Sequence, residues 1–228
     1  MQNNTSSADR IREKKKLFLA REQRIIDAAI ALFLSESIDR ITVSKIAVKA
    51  AIGKGTVYKH FLTKNEILIR IILDYERNIT ARLTDGIKRA ESGISGAAAQ
   101  SYFQARLENP KLDRLVQQLE DRLVESADVA NQVEELHELR RSNENALTDL
   151  TTQLIERGIL EDVPPHFHYL ACWALAQGAI ELCFNKTWNY RTDNAELMEF
   201  ITNIGVTMGN LGQYHPDEAP ARKKTKSP

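Results

Sequence analysis

The chain has 228 residues, enough for one large or two modest domains with cores of their own. Its formal net charge of zero conceals a division: +7 over residues 1–64, −11 over residues 65–220 and +4 over residues 221–228. Two cysteines are too few for a disulfide scaffold, no apolar run reaches the roughly 18 residues of a membrane span, and no apolar signal core opens the chain. The expectation is a soluble, cytoplasmic protein without a membrane partner.

Residues 1–20 form a polar and then basic arm, expected to be partly disordered, with Arg10, Arg12, Lys14, Lys15 and Lys16 in close succession. Part of it can extend the first helix N-terminally, and two roles stay open for it: lying along phosphates or in a minor groove, or a solubilising tail. The first well-defined helix is predicted over about Arg21–Ser35, with Ile25, Ala28, Ala29, Leu32 and Phe33 on one face. Thr42 then opens a second helix, its hydroxyl placed to cap the amides of Val43–Lys45, and Val43, Ile46 and Ala47 make its apolar stripe. Small residues at 50–53 permit a sharp change of direction. A helix of about two turns is predicted over Lys54–Phe61, with Val57 and Phe61 inward. Its outward residues are Lys54, Thr56, Tyr58, Lys59 and His60, all able to hydrogen-bond phosphates or base edges. Two helices, a tight turn and a polar face spell a helix-turn-helix. Residues 21–64 thus form a basic module suited to a polyanion.

Residues 65–212 read as a larger, acidic, all-helical body. A long helix over Lys64–Ala90 carries Ile67, Leu68, Ile71, Ile72, Tyr75, Ile79 and Leu83 in register. Further helices are predicted over about 97–108, 111–125, 129–157, 167–187 and 195–211, punctuated by Asn109-Pro110, Gly158 and Pro164-Pro165. Strand alternation with hairpin signals is absent, so the fold class is all-α: a three-helix head plus a larger body. The tail, residues 213–228, is rich in Pro and Lys and expected to be disordered. Cys172 and Cys183 share a helix face but lie roughly 16 Å apart along the axis, so they read as buried free thiols.

Catalytic and metal patterns are weak. His166-Phe-His168 has no companion ligand spacing, Glu134-Glu135 and Glu161-Asp162 point apart because they are adjacent, and Gly53-x-Gly55 follows a helix and has no phosphate-loop Lys. The sequence therefore carries no enzyme, metal or cofactor signature.

The stretch from Arg24 through RIIDAAIALF to TVYKHFLTKNEIL resembles the N-terminal domain of the TetR family of transcriptional regulators, over about fifty residues. The shared pattern comprises Ala28-Ala29 with Phe33, a Thr-opened helix with Ile46-Ala47, and Gly55-Thr56-x-Tyr58-x-His60-Phe61 with Lys64. Two positions depart from it: residues Ser37–Ile38 replace a customary Gly, and Ala51 stands where the turn usually has Gly. The resemblance implies binding of double-stranded operator DNA through Thr42, Lys54, Gly55, Thr56, Tyr58, Lys59, His60 and Lys64, with Tyr58 and His60 on phosphates. It implies a homodimer through helices 167–187 and 195–211. It also implies a ligand cavity in the body, for which Tyr102, Phe103, Leu119, Trp173 and Gln177 are candidate lining residues and His137 or Arg122 candidate polar handles; ordinary core packing would give the same pattern. The expected function is a repressor released from DNA by a small, largely apolar effector of unknown identity. The alternative is a constitutive DNA-binding protein on the same fold, which a filled body core would favour.

Overall fold

The computed structural model describes residues 7–123, 126–187 and 194–208, all helices and connecting turns with no strand among them. The expected tail at 213–228, the first six residues of the arm and the predicted helix end at Leu211 lie outside the described residues.

Helix α1 spans Ser7–Ser35 and is one continuous rod. It starts well before the expected boundary at Arg21, so the basic arm is helical from Ser7 onward. A 3-10 turn at Ile38–Arg40 leads to α2, Val43–Lys49, where the Thr42 hydroxyl accepts the Lys45 amide at 3.3 Å. Helix α3 is shorter than expected, Lys54–Val57, and the chain continues as a turn through His60. The amides of Lys59 and His60 bond back to the carbonyls of Thr56 and Val57, three residues earlier, which tightens the segment. Val57 and Phe61 are buried against Ile25, Ala29 and Ile46.

The turn between α2 and α3 is held from outside. Arg24 of α1 donates to the carbonyl of Ala50 at 2.6 Å. Ala51 adopts φ of 53°, the left-handed region in which a Cβ crowds the following carbonyl.

Helix α4, Lys64–Glu91, begins in the head and runs the length of the body. Thr63 caps it, accepting the Glu66 amide at 3.1 Å, while the Glu66 carboxylate accepts the Leu62 amide at 2.6 Å. The body adds α5 (Ala97–Leu107), α6 (Pro110–Glu120), a 3-10 turn at Ala127–Val129, α7 (Ala130–Glu156), α8 (Pro165–Phe184) and α9 (Asn194–Met208). Asn109 caps α6 and Pro110 takes its first position, where a missing N–H costs nothing. Two close crossings organise the body. A Cβ at Gly86 would lie 2.6 Å from the Ser101 hydroxyl, so α4 and α5 touch almost backbone to backbone. A Cβ at Gly205 would lie 2.1 Å from the Phe103 ring, which fills the notch that this glycine leaves in α9.

Packing is continuous across residue 64, the expected start of the body. One buried cluster runs from Ile25 and Phe33 through Ile67–Leu73 of α4 into Leu115, Leu119, Val129 and Leu136 of the body. Polar contacts reinforce it. Arg122 grips Asp39 with two hydrogen bonds, one of 3.1 Å, and these hold the Asp39 carboxyl below its ordinary value. Asp128 accepts from Asn65 at 3.0 Å and from Thr63 at 2.9 Å. A second cluster joins Phe103 and Leu107 to Ala176, Ile180, Met198 and Ile201, and a third joins Ala90, Ala97, Ala98 and Leu150. These clusters do not merge. The space between them is a cavity.

Replacing Ala51 with Gly should relieve the left-handed strain, which is worth about 1–2 kcal/mol, against a backbone-entropy cost of roughly 0.5–1 kcal/mol. The expected net gain is about 1 kcal/mol, or a rise of roughly 2–4 °C in a thermal melt at this size. An unchanged or lowered midpoint in scanning calorimetry would show that the turn, clamped by Arg24, carries no such strain.

Candidate DNA-binding face and body cavity

Lys54, Gly55, Tyr58 and Lys59 stand on the open side of the head, with Thr56 half-exposed beside them. The Lys54 ammonium sits 5.8 Å from the centre of the Tyr58 ring, so the two side chains cover one another rather than an acidic group. At Gly55 nothing lies within 4 Å of where a Cβ would stand, which leaves the start of α3 open to close approach. Val48 and Leu62 flank this surface and are strongly exposed, presenting apolar groups of the kind that meet sugars or thymine methyls. Thr42 is exposed while its hydroxyl caps α2.

Two expected members of the face are placed elsewhere. The His60 side chain is only 3% exposed: its ring lies 4.1 Å from that of Phe18 and its Nδ1 is 3.7 Å from the Glu22 carboxylate. That Nδ1 is buried without a hydrogen-bond partner. The tight turn after Val57 rotates His60 toward α1, away from the open side, so it is not an outward residue here. Glu22 is meanwhile gripped by Arg70 of α4, which ties α1, the end of the reading segment and α4 together. Lys64 also turns inward. It donates to the Ile38 carbonyl at 2.6 Å and lies 5.9 Å from the Phe33 ring, and burial pulls its pKa below the ordinary lysine value. Its work is to pin the start of α4 to the turn after α1.

The cavity in the body has a volume of about 1040 Å³ and is walled by α4 through α9. Tyr102, Trp173 and Gln177 are in its wall. Phe103 and Leu119 are not: each is fully buried, Phe103 against Gly205 and Leu119 on the side of α6 that faces the head. Aromatic and apolar spacing along a helix reports burial, and burial here is in ordinary core. Neither polar handle reaches the cavity. His137 is exposed near Glu134, and Arg122 belongs to the head–body contact with Asp39.

Tyr102 and Gln177 belong to a polar network in the wall whose other members lie outside the expected set. Arg106 of α5 forms a two-pronged bond with Asp113 of α6, Nε to Oδ2 at 2.7 Å and Nη2 to Oδ1 at 2.9 Å. Asp113 also accepts from the Tyr75 hydroxyl and from Gln117 at 2.6 Å. Arg106 donates further to the Tyr102 hydroxyl at 2.9 Å and to Gln177 at 3.0 Å, and Gln177 donates to Gln117 at 2.8 Å. Burial opposes the Arg106 charge, but the bonds to Asp113 more than offset it and raise its pKa above the ordinary value. Burial likewise pushes the Tyr75 phenol up, as does the neighbouring Asp113 charge. Across the cavity, Arg140 of α7 bridges two carboxylates, Glu76 at 3.0 Å and Glu120. Ile79, Leu83, Leu147 and Leu150 supply apolar wall beyond these groups. The sequence signal for the network was an acid on an apolar stripe: Asp113 precedes Val116 by three residues on the buried side of α6. Cys172 is also in the wall, a free thiol pushed up to about 11 by burial.

Residues 25–71 match the family model described as bacterial regulatory proteins, tetR family. Among curated relatives, the chain is 36% identical over 74 residues to the HTH-type transcriptional regulator SrpR of Pseudomonas putida, a match covering 32% of this chain and 35% of that protein. The chain thus spans about a third of the length of that relative. The whole body enters through solved structures. A tetR-family regulatory protein from Rhodococcus RHA1 superposes with a TM-score of 0.66 at 20% identity, covering 85% of this chain and 98% of that one. The transcriptional regulator FadR from Bacillus subtilis, solved in complex with stearoyl-CoA, superposes with a TM-score of 0.61 at 21% identity, covering 82% of this chain and 98% of that one. At these identities the superpositions speak for the fold, a helix-turn-helix head on a helical body. The head thus matches the tetR family of bacterial regulatory proteins by sequence over residues 25–71, and the whole chain shares the fold of solved tetR-family regulators.

Proposed function

We propose that the protein is a DNA-binding transcriptional regulator that recognises a specific operator as a homodimer and leaves it when a small molecule enters the body cavity. The observation that carries this reading is the course of α4. Ile67–Leu73, near its start, pack into the cluster shared with the head, and Tyr75, Glu76, Ile79 and Leu83 of the same helix line the cavity. A ligand that favours another position of α4 changes the placement of the head, and the two heads of a dimer then no longer fit half-sites one helical turn apart. A typical coupling of about 1–3 kcal/mol corresponds to a 5- to 150-fold change in affinity.

The open cavity favours this over a constitutive binder, whose core would be filled. Its wall also modifies the expected ligand. A buried ion pair on one side and a partly exposed one on the other suit an amphiphile with a polar group near Tyr102 and Gln177 and an apolar remainder, rather than a largely apolar molecule. The stearoyl-CoA bound by the Bacillus subtilis relative in fold is an amphiphile of this general kind.

Dimerisation through α8 and α9 is supported by what they leave uncovered. Helix α8 holds one acidic residue, Glu181, and no Lys or Arg in twenty residues, yet Phe167, Leu170 and Trp173 are each about half exposed. Ala171, Ala174 and Gly178 run along the same open side and permit close helix approach. Phe200 and Ile204 of α9 add exposed apolar surface. Introducing a charge there, as in Ala174→Glu, should turn a sedimenting dimer into a monomer and abolish tight operator binding while the circular dichroism stays helical. A dimer that survives A174E would place the interface elsewhere.

Operator selection from random duplexes, repeated with a metabolite library, tests the reading as a whole: one near-palindromic site should emerge, and at least one compound should relieve binding. Specific binding that no compound relieves would favour the constitutive regulator. At the face itself, Lys59→Ala and Tyr58→Phe measured across operator and mutant operators separate two roles. A lost phosphate contact weakens all sequences alike and lowers the salt slope by about one, whereas a lost base contact costs roughly 1–3 kcal/mol at one position. Full affinity in both variants would move the reading face off α3.

A further inference from the structure

We propose that the exposed first half of α1 is a second DNA-contacting element, which lays Arg10, Lys14, Lys15 and Arg21 along phosphates flanking the half-site read by α3. The inference rests on the reading of α2–α3 as the DNA-binding segment.

Every residue from Asp9 to Arg21 is exposed, and burial of α1 begins only at Glu22. The helix therefore projects from the head by more than three turns. An isolated segment of this length would be marginal in water; here it is held helical by continuity with the packed half of α1. The projecting half carries six basic residues, Arg10, Arg12, Lys14, Lys15, Lys16 and Arg21, against Asp9 and Glu13. None of the six pairs with a carboxylate among the described residues, whereas Arg24, a turn further on, is spent on the Ala50 carbonyl. This is an uncompensated cationic rod, and its partner should be an extended polyanion.

Its position selects which polyanion. Phe18 stacks on His60 with ring centroids 4.1 Å apart, so the rod passes the end of the reading segment two residues from Tyr58. From Phe18 to Arg10 the helix extends about 12 Å, roughly three phosphate steps along one DNA strand. By helical periodicity Arg10, Lys14, Lys15 and Arg21 share the side of α1 that carries Phe18, while Arg12 and Lys16 face the opposite way. The structure thus supplies its own control: four charges on the side of the rod toward the reading segment and two on the side away.

The experiment compares the full-length protein with two double variants, Lys14→Gln/Lys15→Gln and Arg12→Gln/Lys16→Gln. Each removes two charges, and Gln keeps a helix propensity close to that of Lys and Arg. Affinity for the selected operator and for unrelated duplexes is measured against salt, with phosphate-ethylation interference on the operator. The first variant should lower the slope of log affinity against log salt by nearly two, about 0.9 per phosphate. It should weaken operator and unrelated DNA by a common factor of about tenfold and erase the interference signals outside the half-site. The second variant should keep slope and footprint. Equal effects of the two variants, or none, overturn the proposal, as does a loss confined to acidic phospholipid vesicles, which would assign the rod to a membrane surface. Failure of the unsubstituted protein to bind any duplex is a different result: it removes the reading of α3, and this proposal falls with it.

Discussion

The constraint on which the rest of the molecule depends is the double burial of α4. Ile67, Leu68, Ile69, Ile71, Ile72 and Leu73 are all buried, which covers most of the helix circumference and leaves open only the strip that carries Arg70 and Asp74. The head covers one side and the 115–136 region of the body the other. Beyond Leu73 the pattern thins to one stripe, Glu76, Ile79, Leu83, Gly86 and Ala90, which faces α5, α7 and the cavity. A helix held on two sides at one end and along one side for the remainder is built as a lever with a fixed head. The contacts of Asp39 with Arg122 and of Asp128 with Thr63 and Asn65 close the remaining seam, so head and body are mechanically one piece at this end.

The cavity fits the same logic. A buried ion pair is costly unless each of its groups finds partners. Asp113 meets this condition by accepting from three side chains, and Arg106 by donating to three. The network links α4, α5, α6 and α8 through Tyr75, Arg106, Asp113 and Gln177. A ligand touching any one of these groups touches all four helices at once, including the lever. The Arg140 bridge between Glu76 and Glu120 adds α7 and meets α4 within one residue of Tyr75.

Much of the architecture was legible in the sequence because it is written in local signals. The Thr42 cap, the Asn109-Pro110 corner and the Ile67–Leu83 register all act within a turn or two of themselves, and they fix where helices begin and which side is buried. Periodicity does not say by what. Phe103 and Leu119 carry a core signature, and core is where they sit; that the cavity lies on the other side of each depends on helices far along the chain. His60 and Lys64 show the same limit from the polar side. Their outward placement followed from motif position, but His60 is turned by a ring 42 residues earlier and a carboxylate 38 residues earlier, and Lys64 by a carbonyl 26 residues earlier. The extent of α1 is only partly legible for the opposite reason: a run of basic residues can extend the first helix but has no apolar period of its own to set where it starts, and it is helical because the packed segment behind it is.

The notch at Gly205 has a consequence for how this chain can drift over evolutionary time. The Phe103 ring occupies the place where any side chain at 205 would begin, and that ring is the largest member of the cluster joining α5, α8 and α9. Neither position can change alone without a collision or a void. The two should therefore be replaced together among descendants of this sequence, a larger residue in α9 accompanied by a smaller one in α5. Such a pair, 102 residues apart in the chain, would register in an alignment as a correlated couple set by the packing of α5 against α9 rather than by the face of α3.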